Sequence, residues 1–293
     1  MGTWSGRTVV VTGGNSGIGL AAAKALALDG AHVVLACRDL RRAERAAGQV
    51  PGATIAALDL SDLDSVAAFR APERVDAVVC NAGVMGGVYL PGPQGHERQM
   101  ATNHLGHAAL VADLWPLLQQ AAGRVVVVSS LAARGGRLTA DSTVQDLVDP
   151  QPYVGQDVYR TTKQAVLAYA LELDRRARAT GSAVTAVAAH PGISSTELFA
   201  RNQVDSGHPR LAPIARGLGA LLFQSARAGA LPTLLALDPA TPRGSFVGPR
   251  LFGQVRGRPH LLAPYPTSAD PAVGGRLWAI TEQVLGRRLP PTG

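Results

Sequence analysis

Along the first two-thirds of the chain, short apolar runs alternate with longer stretches in which apolar residues return every three to four positions. The runs are residues 8–11, 32–37, 54–58, 77–80, 124–129 and 183–189, and several are almost unbroken Val, Ala and Leu. A strand that reads this way is covered on both faces, the condition of a parallel sheet. The periodic stretches 17–28, 40–49, 63–70, 95–120 and 158–180 predict helices between them. Such alternation predicts an α/β fold with a doubly wound sheet and helices on both faces. Right-handed crossovers then put a ligand crevice at the carboxyl ends of the strands.

Two regions break the rhythm. Residues 131–157 carry Gly135-Gly136, Asp149-Pro150 and Pro152 and show no clear period. A structureless insertion of this length in a compact domain is usually functional. After Pro191 come an apolar segment at 211–223, a helix near 226–237 and a Gly/Pro-rich connector. The terminal stretch 276–285 predicts an amphipathic helix with Leu277, Ile280, Val284 and Leu285 on one stripe.

The first run ends in Thr12-Gly13-Gly14-Asn15-Ser16-Gly17-Ile18-Gly19. Strand, glycine turn and helix in that order bring bare backbone N–H groups and a helix N-terminus against a pyrophosphate, the device of a Rossmann-type dinucleotide site. The other candidate residues also fall at strand ends or on the helices beside them. Asn81-Ala82-Gly83 follows the fourth run, and Ser129-Ser130 closes the fifth. Tyr159 and Lys163 stand four apart on a predicted helix and share a face. A nearby ammonium favours a phenolate, so the pair predicts a tyrosine whose pKa is lowered toward neutrality.

At 293 residues the chain is long enough for one large domain, expected to span residues 1–293. No apolar run is long enough to span a membrane, and a first strand near Thr8 leaves no room for a signal peptide. The expected location is the cytoplasm, without a membrane anchor. Cys37 and Cys80 end strands that flank the first strand, roughly 9–10 Å apart, which predicts two free thiols. The net charge is +7, but the arginines are scattered, as in Arg41-Arg42 and Arg175-Arg176, so nucleic acid is not an expected partner. Positive charge still attracts an anionic cofactor. His104 and His107 lie one helical turn apart without a third ligand nearby in sequence, so no metal site is expected. His190, before a proline at a strand end, reads as structural.

Taken together, Thr12-Gly13-x-x-x-Gly17-Ile18-Gly19, Asn81-Ala82-Gly83, Asn103, Ser130, Tyr159-x-x-x-Lys163 and His190-Pro191-Gly192 resemble the short-chain dehydrogenase/reductase family, in family order over residues 7–198. Cys37-Arg38, Asn103-His104-Leu105-Gly106-His107 and the long Ser130-to-Tyr159 spacer resemble its retinol-dehydrogenase-like and protochlorophyllide-reductase-like branch. Arg227-Ala228-Gly229-Ala230 and the Trp278 segment are similar to bacterial members.

The resemblance implies a single domain with a mostly parallel seven-stranded sheet. It implies that Tyr159 is the proton donor or acceptor, that Lys163 holds the nicotinamide ribose and lowers the tyrosine pKa, and that Ser130 orients the carbonyl. Asn103 supports a water-linked relay. Gly13, Asn15, Ser16, Gly17, Ile18 and Gly19 would hold the pyrophosphate, Asp59 and Leu60 the adenine. Asn81, Ala82 and Gly83 would line the cleft, and Pro191, Gly192, Ile193 and Thr196 would wrap the nicotinamide. Thr162 stands where serine is commoner, a conservative departure. The family often pairs the helices at 95–120 and 158–180 into homo-oligomers, though some members are monomers.

The cofactor reading rests on the end of the second strand. Cys37 matches the position where NAD enzymes of the family carry an acid, and Arg38 follows it. A guanidinium suits a 2′-phosphate, and Asp39 reads as a helix N-cap. NADP(H) is therefore favoured over NAD(H). The expected function is an NADP-dependent oxidoreductase interconverting an alcohol and a ketone or aldehyde of an apolar small molecule. The alternatives are a carbon–carbon double-bond reductase or a non-catalytic NADP-binding sensor. The glycine spacing argues against the extended epimerases and dehydratases. The substrate pocket is expected from residues 85–93, the 131–157 insertion and a lid at 196–223, where Leu198, Phe199, Leu218 and Phe223 suggest an apolar ligand.

Overall fold

Strand β1 (Thr8–Thr12) has no exposed face: Val9, Val10 and Val11 are all fully buried. Successive side chains of a strand point to opposite sides, so an unbroken valine run needs helices on both. Val10 joins one core with Val34, Val78 and Val125. Val9 and Val11 join the other with Val33, Leu35, Leu26 and Leu237.

The computed structural model describes residues 2–193 and 224–290 of the chain. The other strands are β2 (His32–Cys37), β3 (Thr54–Ala57), β4 (Ala77–Cys80), β5 (Arg124–Val128), β6 (Thr185–Ala189), β7 (Phe246–Leu251) and β8 (Arg256–Leu262). They form one sheet in the order β3-β2-β1-β4-β5-β6-β7-β8. Every pairing is parallel except β7 with β8. The order reverses beside β1, so the crevice opens at the carboxyl ends of β1 and β4.

The expected seven strands become eight. The Gly/Pro-rich connector folds as the hairpin β7–β8, and Gly248, Pro249, Gly257 and Pro259 masked it. The helices in chain order are α1 (Gly17–Leu28), α2 (Leu40–Ala47), α3 (Leu63–Ala67), α4 (Arg98–Met100), α5 (Gly106–Gln120), α6 (Val144–Val148), α7 (Gly155–Ala179), α8 (Ala226–Leu237), α9 (Pro266–Ala269) and α10 (Pro271–Leu285). The helix expected at 95–120 is interrupted: a π-helical turn, Ala101–Leu105, separates α4 from α5.

The terminal helix starts at Pro271, earlier than its apolar stripe suggested, because Asp270 caps it by accepting from Ala272 N at 2.8 Å. The 131–157 insertion is not structureless. Ser130 caps a 3₁₀ turn, Leu131–Gly135, and Thr143 with Asp146 closes a capping box on α6. Thr196 and the lid expected at 196–223 lie outside the described residues. Cys37 and Cys80 are both buried free thiols.

Candidate active site

The glycine turn after β1 is built by backbone geometry. Gly13 and Gly17 have φ of +64° and +55°, a region that favours glycine. Gly19 has no room for a side chain: a Cβ there would lie 2.4 Å from Asn81 Nδ2 and 2.6 Å from the Gly13 carbonyl oxygen. Thr12 ties the turn to the end of β4. Its hydroxyl accepts from Asn81 N at 2.9 Å and Ala82 N at 3.0 Å, while Asn81 Nδ2 donates to Thr12 O at 2.9 Å. Ser16 caps α1 with extended backbone and no side-chain hydrogen bond, so the first N–H groups of the helix have no side-chain cap. A bare cradle under the positive end of a twelve-residue helix fits the diphosphate of a dinucleotide.

One end of the cleft is lined by Arg38, Asp39, Arg42, Asp59 and Leu60. Asp39 accepts from Arg42 N at 3.0 Å and so caps α2. Arg38 is exposed, with its Nη1 3.7 Å from Asp59 Oδ2. Asp59 is turned partly inward, accepting from the Ser61 hydroxyl at 2.6 Å. Burial pushes the Cys37 thiol beside them up to about 11.

At the other end Tyr159 and Lys163 project from α7, both buried. The Tyr159 phenol is hydrogen-bonded to the Ser130 hydroxyl, and burial pushes it up to about 12 despite that bond. This corrects the lowered value expected from the lysine. Lys163 Nζ lies 5.8 Å from the phenol ring centroid and donates to the Val128 carbonyl at 3.1 Å. Burial lowers Lys163 itself to about 8, because an ammonium loses its water there. Ser129, beside Ser130, donates to the Lys163 carbonyl at 2.7 Å and fastens α7 to the end of β5. Of the two serines, only Ser130 meets the phenol.

Asn103 sits in the π-helical turn, buried, and does not line the cleft. Its Oδ1 accepts from Val84 N at 2.8 Å; its Nδ2 donates to Val84 O and to Thr162 Oγ1, both at 2.9 Å. Thr162 Oγ1 in turn donates to Tyr159 O at 2.8 Å. Asn103 therefore braces Gly83-Val84 and α7 from behind. A Cβ on Gly83 would fall 3.3 Å from both Asn103 Oδ1 and Lys163 Nζ.

His107 completes this bracing. Its Nδ1 donates to the Asn103 carbonyl at 3.0 Å, so Nε2 accepts from the Thr12 hydroxyl at 2.9 Å. His104 Nε2 bonds Thr281 Oγ1 at 2.8 Å. Both histidines tie elements together; His190 closes a local turn, its Nδ1 accepting from Gly192 N at 3.1 Å, and its ring packs on Phe246 of β7.

These parts share one cleft of about 900 Å³. It brings together Gly13, Asn15, Ser16, Gly17, Ile18, Gly19, Asn81, Ala82, Gly83, Ser130, Tyr159, Lys163, Pro191, Gly192 and Ile193, with Arg38, Asp59 and Leu60. Leu131, Ala132, Arg134, Gly135 and Gln156 of the 131–157 insertion also line it. Sequence reasoning missed Arg42, Thr102 and Arg160, none of which belongs to a motif. Arg160 carried one available signal, its closeness in sequence to Tyr159.

A family model for short chain dehydrogenases matches residues 7–141. Human "Retinol dehydrogenase 13" is 34% identical over 98% of this chain and 87% of its own length. "Dehydrogenase/reductase SDR family member 13" of Bos taurus is 36% identical over 96% of this chain and 74% of its own length. A crystal structure of a Mycobacterium paratuberculosis protein superposes with a TM-score of 0.79 at 36% identity, covering 99% of this chain and 97% of that one.

Proposed function

The chain belongs to the short-chain dehydrogenase/reductase family, oxidoreductases that act on CH–OH groups with a nicotinamide cofactor, and from that premise we propose that it is NADP-dependent and works through Tyr159. The reaction interconverts an alcohol and a ketone or aldehyde on a small molecule with an apolar body. The observation that carries this reading is the Ser130–Tyr159 hydroxyl pair, beside Lys163, in the cleft that begins at the glycine turn.

The nicotinamide supplies the hydride in reduction and takes it in oxidation. Gly13 to Gly19 would hold its diphosphate, Arg38 a 2′-phosphate, and Lys163 with Asn81 and Pro191–Ile193 the nicotinamide riboside. In reduction Tyr159 gives its proton to the carbonyl oxygen while the Ser130 hydroxyl hydrogen-bonds that oxygen. The buried phenol is protonated at neutral pH, so it has the proton to give to an oxygen that becomes strongly basic as the hydride arrives. Asn103 braces the helix that carries it, through Thr162. Two buried thiols suit a reducing cytoplasm.

The test is NADPH oxidation against a panel of aldehydes and ketones, with Tyr159→Phe alongside. Loss of the phenol proton should lower kcat by about 10²–10⁴-fold while NADPH still binds. Undiminished turnover by Tyr159→Phe would remove the mechanism.

A further inference from the structure

The substrate end of the cleft is not uniformly apolar. Val84, Met85, Leu131 and Ala132 line it, but so do Arg134 and Arg160. The carboxylates among the lining residues, Asp39 and Asp59, both stand at the far end beside Arg38. Arg160 is tied to Asp157, its Nη1 2.9 Å from Oδ1, on a carboxylate that it shares with Arg137. Arg134 has no carboxylate partner among the described residues.

Arg134 is nonetheless held in place. It sits on the 3₁₀ turn that Ser130 itself caps, with Ala132 N donating to Ser130 Oγ at 3.2 Å. Its guanidinium carbon lies 5.0 Å from the Tyr265 ring centroid, and it hydrogen-bonds that phenol. Tyr265 is fixed in turn by donating to Gln254 Oε1 at 2.9 Å. An arginine stacked on a neutral ring keeps its full charge and presents further donors at its edge, the geometry that receives a carboxylate. Arg134 is itself exposed at the cleft, so the edge of its guanidinium is open to a ligand.

We propose that the substrate carries a carboxylate on its apolar body, received by Arg134 while Ser130 and Tyr159 hold the reacting oxygen. This rests on the reductase reading above and narrows its substrate class to carbonyl acids and the matching hydroxy acids. The net charge of +7 would draw such anions to the cleft.

The test compares two aldehydes of one shape, 4-carboxybenzaldehyde and methyl 4-formylbenzoate, with NADPH and the full-length protein. Wild type should favour the acid by about tenfold in kcat/KM at low salt, and high salt should shrink the preference. Arg134→Gln should bring the acid-to-ester ratio close to one; Arg134→Lys, which keeps the charge, should retain part of it. Equal or better turnover of the ester by wild type would overturn the proposal, and so would an Arg134→Gln ratio that stays unchanged. Weaker NADPH binding in Arg134→Gln with an unchanged ratio would assign Arg134 to the cofactor and also overturn it. Ester turnover that Tyr159→Phe abolishes, with a wild-type ratio of one, overturns the acid proposal and leaves the reductase reading standing. No turnover of either aldehyde by wild type overturns both.

Discussion

Arg38 and Asp59 set the cofactor question at the scale of single residues. The two are 3.7 Å apart at the mouth of the cleft, Arg38 largely exposed. An exposed pair in water contributes little to stability, so this contact leaves the guanidinium able to turn to a stronger anion. A phosphate dianion is such a partner; a ribose hydroxyl is not. Arg38→Ala should therefore raise the Kd for NADPH about tenfold or more and that for NADH by no more than about twofold, measured by fluorescence titration. Equal losses would remove Arg38 as the phosphate contact. The Asp39 cap on α2 was legible in the sequence, because Cys37-Arg38-Asp39 sits at a strand end just before a helical stretch. The pKa of Tyr159 was not. Sequence spacing puts a lysine on the tyrosine's face, but says nothing of how deeply both are buried or that Nζ turns to the Val128 carbonyl.

Among elements, α5 and the π-helical turn before it carry most of the bracing. Asn103 and His104 on one turn and His107 on the next reach Val84, Thr281 and Thr12, on three separate parts of the fold. Burial lowers His104 to about 3 and His107 to about 4, so both are neutral when folded. An unfolded histidine takes its proton near 6.5. Between pH 6.5 and about 4 the unfolded chain thus binds more protons, and stability falls as pH falls. Each such histidine contributes up to about 1.4 kcal/mol per pH unit in that window. Urea unfolding at pH 7 and pH 5 should show a marked loss at the lower pH, with a smaller loss in His104→Asn. A flat profile from pH 7 to 5 would mean that these rings are not held neutral. Strands and helices with strong periods were legible from the sequence; these cross-ties were not. His104 and His107 show only their spacing in sequence, and the partners Thr12 and Thr281 lie 95 and 177 residues away. The hairpin β7–β8 escaped for a different reason: its prolines and glycines sit where a sequence reading places a loop.

For the whole molecule, the terminal helix decides how the long helices meet their surroundings. The resemblance implies pairing of copies through the helices around 95–120 and 158–180, yet α10 already packs on α7 here. Trp278 stacks on Tyr169 with centroids 5.6 Å apart, Arg176 lies 4.6 Å over the Trp278 ring, and Thr281 bonds His104. Gly274 lets α10 approach so closely that a Cβ there would lie 3.3 Å from Glu172 Oε2. Arg287 then reaches across to α5, bonding Asp113 at 2.6 Å and the Ala109 carbonyl at 3.0 Å. A second copy docking on this face of α7 would have to displace a helix that buries Leu277, Trp278 and Ile280, at a cost of several kcal/mol. The chain should therefore sediment as a monomer of 30.3 kDa. Trp278→Ala should lower stability by about 3–5 kcal/mol and uncover Tyr169, so that this variant, unlike wild type, self-associates as concentration rises. A wild-type dimer that survives Trp278→Ala unchanged would place the contact elsewhere on the surface and sever the link between the terminal helix and the monomeric state.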